Sequence, residues 1–180
     1  MLSKRFLIFG NSGSGKSTLA SALAASKGIA HLDLDTLAWL PTTPPQRAPL
    51  QDVEGELRNF VQSHSAEESG WVVEGCYSDL LALLSADADH ILFLNLPVDA
   101  CIENAKARPW ESHKYASKTA QDANLAMLLT WIGQYTHRGD EFSFSAHQQF
   151  YDAFTRRKTM ISENMHFDRV LDGLINGCAG

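Results

Sequence analysis

The chain has 180 residues, of which 44% are hydrophobic and 20% charged, a composition that suits one α/β domain with a substantial core. Its formal net charge is −6 and it has no long run of Lys and Arg, which argues against duplex DNA or RNA as its main partner. There is no run of about 18 apolar residues to span a membrane, no signal-peptide pattern and no metal-ligand spacing among the cysteines, so we expect a cytoplasmic protein with reduced thiols.

The first predicted strand, Arg5–Phe9, leads into a segment that fits the phosphate-binding loop (P-loop) pattern G-x-x-x-x-G-K-[ST]. The segment reads Gly10-Asn11-Ser12-Gly13-Ser14-Gly15-Lys16-Ser17 and continues with Thr18. Glycines at 10, 13 and 15 allow the positive-φ turns that bring backbone N–H groups around a polyphosphate. Lys16 is placed to reach the β- and γ-phosphates, and the Ser17 hydroxyl is placed to ligate Mg²⁺. We therefore predict ATP and Mg²⁺ as cofactors, bound by residues 10–18.

The residues after the loop predict a helix that runs to about Ser26 and ends at Lys27-Gly28. The N-terminus of this helix adds positive potential where the phosphates would lie. Strand, loop and helix in this order are the context that the motif requires, and the alternative is a Gly/Ser-rich turn that binds nothing.

Two carboxylates lie at the end of the next predicted strand, Ile29–Asp33: Asp33 is its last residue, and Asp35 follows two residues later. Residues two apart point to one side of an extended chain. Beside a phosphate site, Asp33 is predicted to hold Mg²⁺ through water, and Asp35 to orient or deprotonate an acceptor hydroxyl. The alternative is that Asp35 caps a following helix.

Residues 41–49 carry four prolines and are predicted to form a surface loop inside the domain. Arg47 in this loop is a candidate cation for binding the substrate. A helix is predicted over Gln51–Ser65, with apolar residues on one face.

The third predicted strand, residues 70–75, ends in Glu74-Gly75. Ligands of open parallel sheets bind at the carboxyl ends of the strands, so Glu74 is a candidate base or Mg²⁺-organising carboxylate, and both residues are candidates for contacting the substrate. A salt bridge, or a cap for the short helix predicted from Ser78, is the alternative for Glu74.

The clearest buried strand is His90–Leu96, which is followed by a predicted helix over Val98–Ala107. The alternation of strands and helices predicts a parallel sheet with helices on both faces, which is a three-layer α/β fold. Arg108 ends that helix and is a candidate for neutralising a moving phosphoryl group.

Residues 109–145 are predicted to form a lid within a single domain, one that excludes water during the reaction. This region contains a predicted long helix, Thr119–Tyr135, and then Arg138, another candidate for neutralising phosphate charge. A solvated surface charge is the usual alternative for Arg138, as it is for Arg108. Further on, the sequence predicts a helix over Ala146–Lys158, with Arg156-Arg157-Lys158 meeting its dipole, and a last strand over Phe167–Leu171.

Together, Phe6–Thr18 and His31–Asp35 resemble the small P-loop kinases. The pair Asp33 and Asp35 is similar to one in shikimate kinases, where the first Asp lies near the metal and the second contacts the acceptor. Trp71–Gly75 and Leu92–Arg108 are similar to segments of adenylate kinases. The closest overall resemblance is to the adenylate-kinase-like topology modulation proteins, through His31-Leu32-Asp33…Trp39 and Trp71–Tyr77.

This resemblance implies a P-loop NTPase fold with a five-stranded parallel sheet and the P-loop strand in its middle. Cys76-Tyr77 replaces the Gly-rich run of shikimate kinases, and the Pro-Arg pair of adenylate kinases is absent, so the acceptor stays open. The leading hypothesis is an ATP- and Mg²⁺-dependent phosphotransferase acting on a small acceptor, either a nucleotide or a hydroxyl metabolite. The alternatives are a nucleotide-binding regulatory protein with slow hydrolysis whose output is a partner contact, and a scaffold that binds no nucleotide.

Overall fold

A parallel sheet of five strands forms the centre of the computed structural model, which describes residues 4–66, 69–110, 116–164 and 167–176. In chain order the strands are β1 (Arg5–Gly10), β2 (Ala30–Asp33), β3 (Trp39–Leu40), β4 (Gln46–Arg47), β5 (Trp71–Gly75), β6 (His90–Leu94) and β7 (Arg157–Ile161). The spatial order β2-β5-β1-β6-β7 places β1 in the middle of the sheet, as predicted. Strands β3 and β4 pair separately as an antiparallel ribbon.

Helices cover both faces of the sheet. They are α1 (Lys16–Lys27), α2 (Leu50–Ser63), α3 (Ser78–Leu83), α4 (Val98–Lys106), α5 (Lys118–Ala123), α6 (Leu125–Gly133), α7 (Phe144–Ala153) and α8 (Phe167–Asn176). Helices α2, α3 and α7 contribute to one hydrophobic core, and α1, α4, α6 and α8 to the other. The three-layer α/β fold predicted from the sequence is therefore confirmed.

The middle of strand β1, Phe6–Phe9, is apolar because the strand is covered on both faces. Phe6 and Ile8 pack into the core under α1, whereas Leu7 and Phe9 pack into the opposite core. All four side chains are fully buried, as expected for a central parallel strand. This burial fixes the position of the loop that follows the strand.

Two predictions for the C-terminal third are wrong. The helix predicted over Ala146–Lys158 ends at Ala153, and the strand predicted over Phe167–Leu171 is part of helix α8. The fifth strand is instead β7, which pairs only with β6 and lies at the edge of the sheet. An edge strand can alternate charged and apolar residues, so its pattern is easily taken for the polar end of a helix.

Two of the three basic residues predicted at a helix end, Arg156 and Lys158, bond the backbone of different elements. Lys158 lies on β7, yet its Nζ donates to the carbonyl oxygens of Tyr151 at 3.0 Å and Asp152 at 3.3 Å, near the end of α7. Arg156 donates to the carbonyl oxygens of Ser85 and Ala86, just beyond α3. The predicted contact with a helix C-terminus thus holds for Lys158, although that residue lies outside the helix.

The long helix predicted over Thr119–Tyr135 is divided into α5 and α6 at Asn124. The amide Nδ2 of Asn124 donates to the carbonyl oxygen of Ala120 at 3.1 Å, and its backbone N–H bonds the carbonyl of Gln121. An Asn side chain that competes for backbone carbonyls interrupts a helix in this way. Residues 111–115 of the predicted lid lie outside the described residues, and the lid boundaries stay a prediction.

The proline-rich segment contains no helix, as predicted, but Gln46–Arg47 within it form strand β4 rather than loop. Trp39 pairs with Arg47, and Leu40 with Gln46, so three of the four prolines lie in the turn of a short hairpin, whereas Pro49 directly precedes α2. In the part of the chain that the structure describes, no helix is both long and apolar enough to cross a bilayer.

Two buried histidines make the stability of the fold depend on pH. His147 lies with Nε2 2.9 Å from the carbonyl oxygen of Cys76 and Nδ1 2.7 Å from the hydroxyl of Tyr135. His90 lies with Nε2 2.8 Å from the Thr159 hydroxyl. Burial lowers the pKa of each histidine to about 4, so the unfolded chain binds more protons than the folded chain between about pH 6.5 and 4.

We therefore expect the contribution of the two histidines to the free energy of unfolding to be constant above pH 7.5 and to fall as the pH is lowered from 6.5 towards 4. The loss between pH 6.5 and 5 should be about 1.5 kcal/mol for each histidine. Urea unfolding at a series of pH values measures this slope, and His90→Gln should remove its share. A stability that stays flat from pH 7 to 5 would contradict the buried, neutral state of both rings.

Candidate active site

The P-loop connects β1 to α1 in a conformation that requires glycine. Gly10, Gly13 and Gly15 have φ values of 147°, 77° and 90°, which confirms the predicted positive-φ turns. A Cβ atom on Gly10 would lie 2.3 Å from the carbonyl oxygen of Leu94, and one on Gly13 would lie 2.3 Å from that of Cys101. The loop thus packs directly against backbone of neighbouring elements, where a side chain has no room.

Neighbouring helices hold the loop in place. The Nδ2 of Asn11, a buried residue, donates to the carbonyl oxygen of Ile132 in α6 at 3.2 Å. From α4, the Nδ2 of Asn104 donates to the carbonyl oxygen of Gly13 at 2.9 Å. The Nζ of Lys16 donates to the carbonyl oxygen of Asn11 at 2.9 Å, which places its ammonium group over the loop.

A cavity of about 660 Å³ opens beside the loop, at the carboxyl ends of the strands. Predicted site residues from four parts of the chain line this cavity, namely Ser12–Thr18, Asp35, Glu74 with Gly75, and Arg108. Cys76, Asn104, Ala107, Pro109, Leu128 and Asn164 complete the lining. The structure thus brings Lys16, Asp35 and Glu74 to one space, as expected for a doubly wound sheet.

Asp33 and Asp35 differ in their surroundings. Asp33 caps a short 3₁₀ turn, Leu34–Thr36, by accepting the backbone N–H of Asp35 at 2.9 Å, so the capping residue is Asp33 rather than Asp35. Asp35 lines the cavity, and its Oδ1 accepts the hydroxyl of Tyr77 at 2.5 Å. The predicted roles of both carboxylates in catalysis and metal binding stay predictions.

Glu74 is the most deeply buried carboxylate that lines the cavity, with a side chain only 2% exposed. Its Oε1 lies 3.9 Å from Nε2 of His31, too far for a hydrogen bond, and makes none with any described residue. A buried carboxylate oxygen without a partner costs free energy unless a cation or a donor meets it. The environment of Glu74 therefore fits a ligand-binding or metal-organising role.

The three candidate arginines occupy different positions. Arg108 lines the cavity just after α4. Arg138 is 10% exposed, with its guanidinium carbon 3.5 Å from the ring centre of Trp131 and its Nη2 3.4 Å from the carbonyl oxygen of Phe142.

Arg47 is fixed by acidic and aromatic neighbours. Its Nη2 donates to Asp79 at 2.8 Å, its Nε lies 3.8 Å from Glu141, and its guanidinium carbon lies 4.7 Å from the ring centre of Tyr77. Neither Arg47 nor Arg138 is part of the cavity lining given above, and their roles toward substrate and phosphate stay predictions.

Several residues of the site escaped the sequence analysis. The Oδ1 of Asn164, in the loop after β7, accepts from Nδ2 of Asn104 at 2.9 Å, and both residues line the cavity. Tyr77 and Trp39 form a hydrogen-bonded pair at 2.7 Å. Trp39 and Tyr77 belong to the segments that carried the family resemblance, which was the available signal, whereas no local pattern marks the two asparagines.

Cys76 lines the cavity beside Glu74 but is not prepared for nucleophilic chemistry. Burial raises the pKa of its thiol to about 12, so the thiol is neutral at physiological pH. Cys76 and Cys101 are both free thiols. Cys178 lies outside the described residues.

Comparison with known proteins adds a family and a fold. The family described as AAA domain matches residues 7–124. Uncharacterized protein YqaC of Bacillus subtilis (strain 168) is 26% identical over 183 residues, which cover 96% of this chain and 98% of YqaC.

Two solved structures share the fold at low identity. A gluconokinase from Sinorhizobium meliloti 1021 has a TM-score of 0.54 at 16% identity, with 97% of this chain and 90% of that chain covered. A sugar kinase from Janibacter sp. HTCC2649 has a TM-score of 0.55 at 12% identity, with 97% and 93% covered. These likenesses confirm the predicted P-loop fold.

Proposed function

From the premise that the chain belongs to the AAA domain family, we propose that it is a phosphotransferase that moves the γ-phosphate of ATP to a small acceptor with the help of Mg²⁺. The observation that carries the proposal is the single cavity lined by the P-loop, Asp35 and Glu74. Phosphoryl transfer depends mainly on positioning and on stabilising charge, and this cavity offers a lysine, backbone N–H groups and carboxylates for both purposes.

The loop side of the cavity would bind ATP. The glycine turns direct backbone N–H groups to the phosphates, the N-terminus of α1 adds positive potential, and Lys16 supplies a point charge. Within the described residues no three or more His, Cys, Asp or Glu side chains form a metal site. In this proposal Ser17 and Glu74, which line the cavity, or Asp33 would hold Mg²⁺ along with the phosphates, a ligand set that this ion favours. The ion supplies neutralisation of the charge on the transferred group.

The opposite side of the cavity would bind the acceptor. Asp35 orients or deprotonates it, and Glu74 and Gly75 form the floor beside it. A Cβ atom on Gly75 would lie 2.9 Å from side-chain atoms of Leu34 and Tyr77, so glycine allows these residues to pack close to the site. Arg108, just after α4, and Arg138, within the region 109–145, would approach the phosphates, and that region would exclude water as it closes. A cytoplasmic location belongs to the same proposal.

A transfer assay tests the function directly. Protein is incubated with γ-labelled ATP and Mg²⁺ against a panel of sugars, sugar acids, nucleosides and nucleoside monophosphates. We expect label in at least one acceptor, and no label when EDTA is present. Tight binding of Mg-ATP without transfer to any member of the panel would count against the phosphotransferase and for the second candidate.

The second candidate is a nucleotide-binding regulatory protein with slow ATP hydrolysis. The hydrogen bond from Asn11 to Ile132 favours it, because this bond links the P-loop directly to helix α6. In that case Mg-ATP should change amide hydrogen exchange in α6 while no label reaches an acceptor. A protein that shows no thermal shift with Mg-ATP would fit neither candidate.

A further inference from the structure

A chain of hydrogen bonds joins the two sequence segments that carried the family resemblance. The Nε1 of Trp39 donates to the hydroxyl oxygen of Tyr77 at 2.7 Å, and the Tyr77 hydroxyl donates to Oδ1 of Asp35 at 2.5 Å. The three residues come from the β3–β4 ribbon, from the residues after β5 and from the turn after β2. The proposed function gives no role to Trp39 or Tyr77.

The hydroxyl of Tyr77 has a fixed place. The residue is 2% exposed, the Arg47 guanidinium lies over its ring, and the ring of Phe142 packs edge-on at 5.3 Å between centres. This packing leaves the ring no room to swing, so the distance from its hydroxyl to Asp35 is set by the fold rather than by a mobile side chain.

The chain of hydrogen bonds has one direction. An indole N–H is only a donor, so it must donate to the Tyr77 oxygen. Burial, together with the nearby Asp35 charge, raises the pKa of Tyr77, so the phenol keeps its proton. Its O–H group donates a hydrogen bond to Asp35. Donors aligned in this way strengthen one another and favour the charged carboxylate at their end.

A carboxylate held in this manner selects the chemical class of the acceptor. Asp35 presents a hydrogen-bond acceptor to the cavity, and Glu74 adds a second carboxylate to the same lining. A phosphate or carboxylate oxygen brought there as the attacking group would meet like charge, whereas a hydroxyl would donate to Asp35. The attacking group that fits is therefore a hydroxyl.

We propose that Tyr77, supported by Trp39, is a positioning residue that holds Asp35 for the hydroxyl of the acceptor, so that the product is a phosphate monoester rather than a phosphoanhydride. This inference rests on the proposed phosphotransferase function. In the reaction the acceptor oxygen bonds to the γ-phosphorus, the bond from that phosphorus to the β–γ bridging oxygen breaks, ADP leaves, and the hydroxyl proton passes to Asp35.

The first test needs no acceptor. The carboxyl carbon signal of Asp35 is recorded by carbon NMR at one fixed pH of 7.5 in protein labelled at the Asp carboxyl carbons, and Asp35→Asn assigns the signal. Loss of the donated hydrogen bond in Tyr77→Phe should move this signal, and Trp39→Phe should move it by less. The matched control is Tyr135→Phe, which also removes a buried hydroxyl, here one that bonds His147, and should leave the Asp35 signal unchanged.

An Asp35 carbon signal that stays unmoved in Tyr77→Phe, as in Tyr135→Phe, would overturn the positioning role. Should Tyr77→Phe fail to fold, Trp39→Phe gives the same reading, because it removes only the outer donor of the chain.

The second test identifies the product. Label transferred to the acceptor panel should resist hydrolysis in hot dilute acid, as monoesters do, and Tyr77→Phe should lower acceptor-dependent kcat by about 10- to 100-fold with KM for Mg-ATP nearly unchanged. Acid-labile label on a nucleoside monophosphate would overturn the inference while leaving the phosphotransferase intact. No transfer to any acceptor would instead count against the proposed function, and the Asp35 carbon signal would then decide the positioning role alone.

Discussion

Lys16→Ala should lower phosphate transfer from ATP by about 100-fold or more. The Nζ of Lys16 lies over the P-loop, within hydrogen-bonding distance of the carbonyl oxygen of Asn11, and it is the ammonium group that lines the loop side of the cavity. A point charge placed there stabilises the charge that spreads over the transferred phosphoryl group, and alanine leaves that charge unmatched. Single-turnover transfer of label to the acceptor found in the panel measures the loss.

The matched control is Lys106→Ala. Lys106 is exposed in α4, and its Nζ lies 2.7 Å from Oε1 of Glu103 one turn away. Its removal costs a surface ion pair worth little and should leave transfer unchanged. If Lys16→Ala transferred label as fast as the Lys106→Ala protein, the loop would not be the phosphate site and the proposed function would be wrong.

Adding one methyl group to the P-loop should lower both stability and Mg-ATP binding. Gly13→Ala places a Cβ 2.3 Å from the carbonyl oxygen of Cys101, in a residue whose φ is 77°. The clash is with backbone, so the loop or α4 must move, and the left-handed conformation adds its own penalty. We expect a loss of roughly 2–4 kcal/mol in the free energy of unfolding and the loss of measurable Mg-ATP binding.

A Gly→Ala substitution in a helix should instead raise the free energy of unfolding. Gly55 lies within helix α2, and a Cβ atom there meets nothing within 4 Å. Gly55→Ala should therefore stabilise the protein by about 0.5–1 kcal/mol and leave Mg-ATP binding as it is. Urea unfolding and calorimetric titration with Mg-ATP compare the two variants. A Gly13→Ala protein as stable as Gly55→Ala, with intact binding, would show that the loop tolerates a side chain.

The sequence was sufficient for the parts of the fold where local chemistry and burial agree. Phe6–Phe9 of strand β1 are all apolar because both faces of the strand are covered, and the glycines after them indicate a loop whose φ values only glycine adopts readily. The strand-end rule predicted Asp35 and Glu74 for the site, and both line one cavity, together with Arg108, which was chosen for its place at the end of a helix.

The secondary structure could not be predicted from the sequence where an element lies at the edge of the sheet. Strand β7 pairs with one neighbour only, so residues such as Lys158 and Met160 remain exposed, and its pattern lacks the apolar run of a central strand. In helix α8, Val170, Leu171 and Leu174 recur at helical spacing and pack against the core under α1. The short apolar segment 167–171 taken alone predicts a strand equally well, because periodicity does not separate the two over so few residues.

The least predictable contacts are those between distant segments. Tyr77 reaches Asp35 because β2 lies beside β5, with Asp33 opposite Glu74, and this register follows from the whole sheet. Asn104 and Asn164 meet because β7 returns beside β6, which no local pattern announces.

The edge position of β7 also determines how far a fragment must extend in order to fold and keep the site intact. The family match ends at residue 124, but β7, the covering helix α7 and Asn164 all come later. A fragment trimmed to the matched segment would bare the backbone edge of β6 and uncover Phe9 and Phe93, which His147 and Phe150 of α7 now shield. Trimming would thus turn β6 into an exposed edge strand that could pair with another chain, and it would remove Leu128 and Asn164 from the cavity lining. The matched segment is therefore too short to fold as a complete domain.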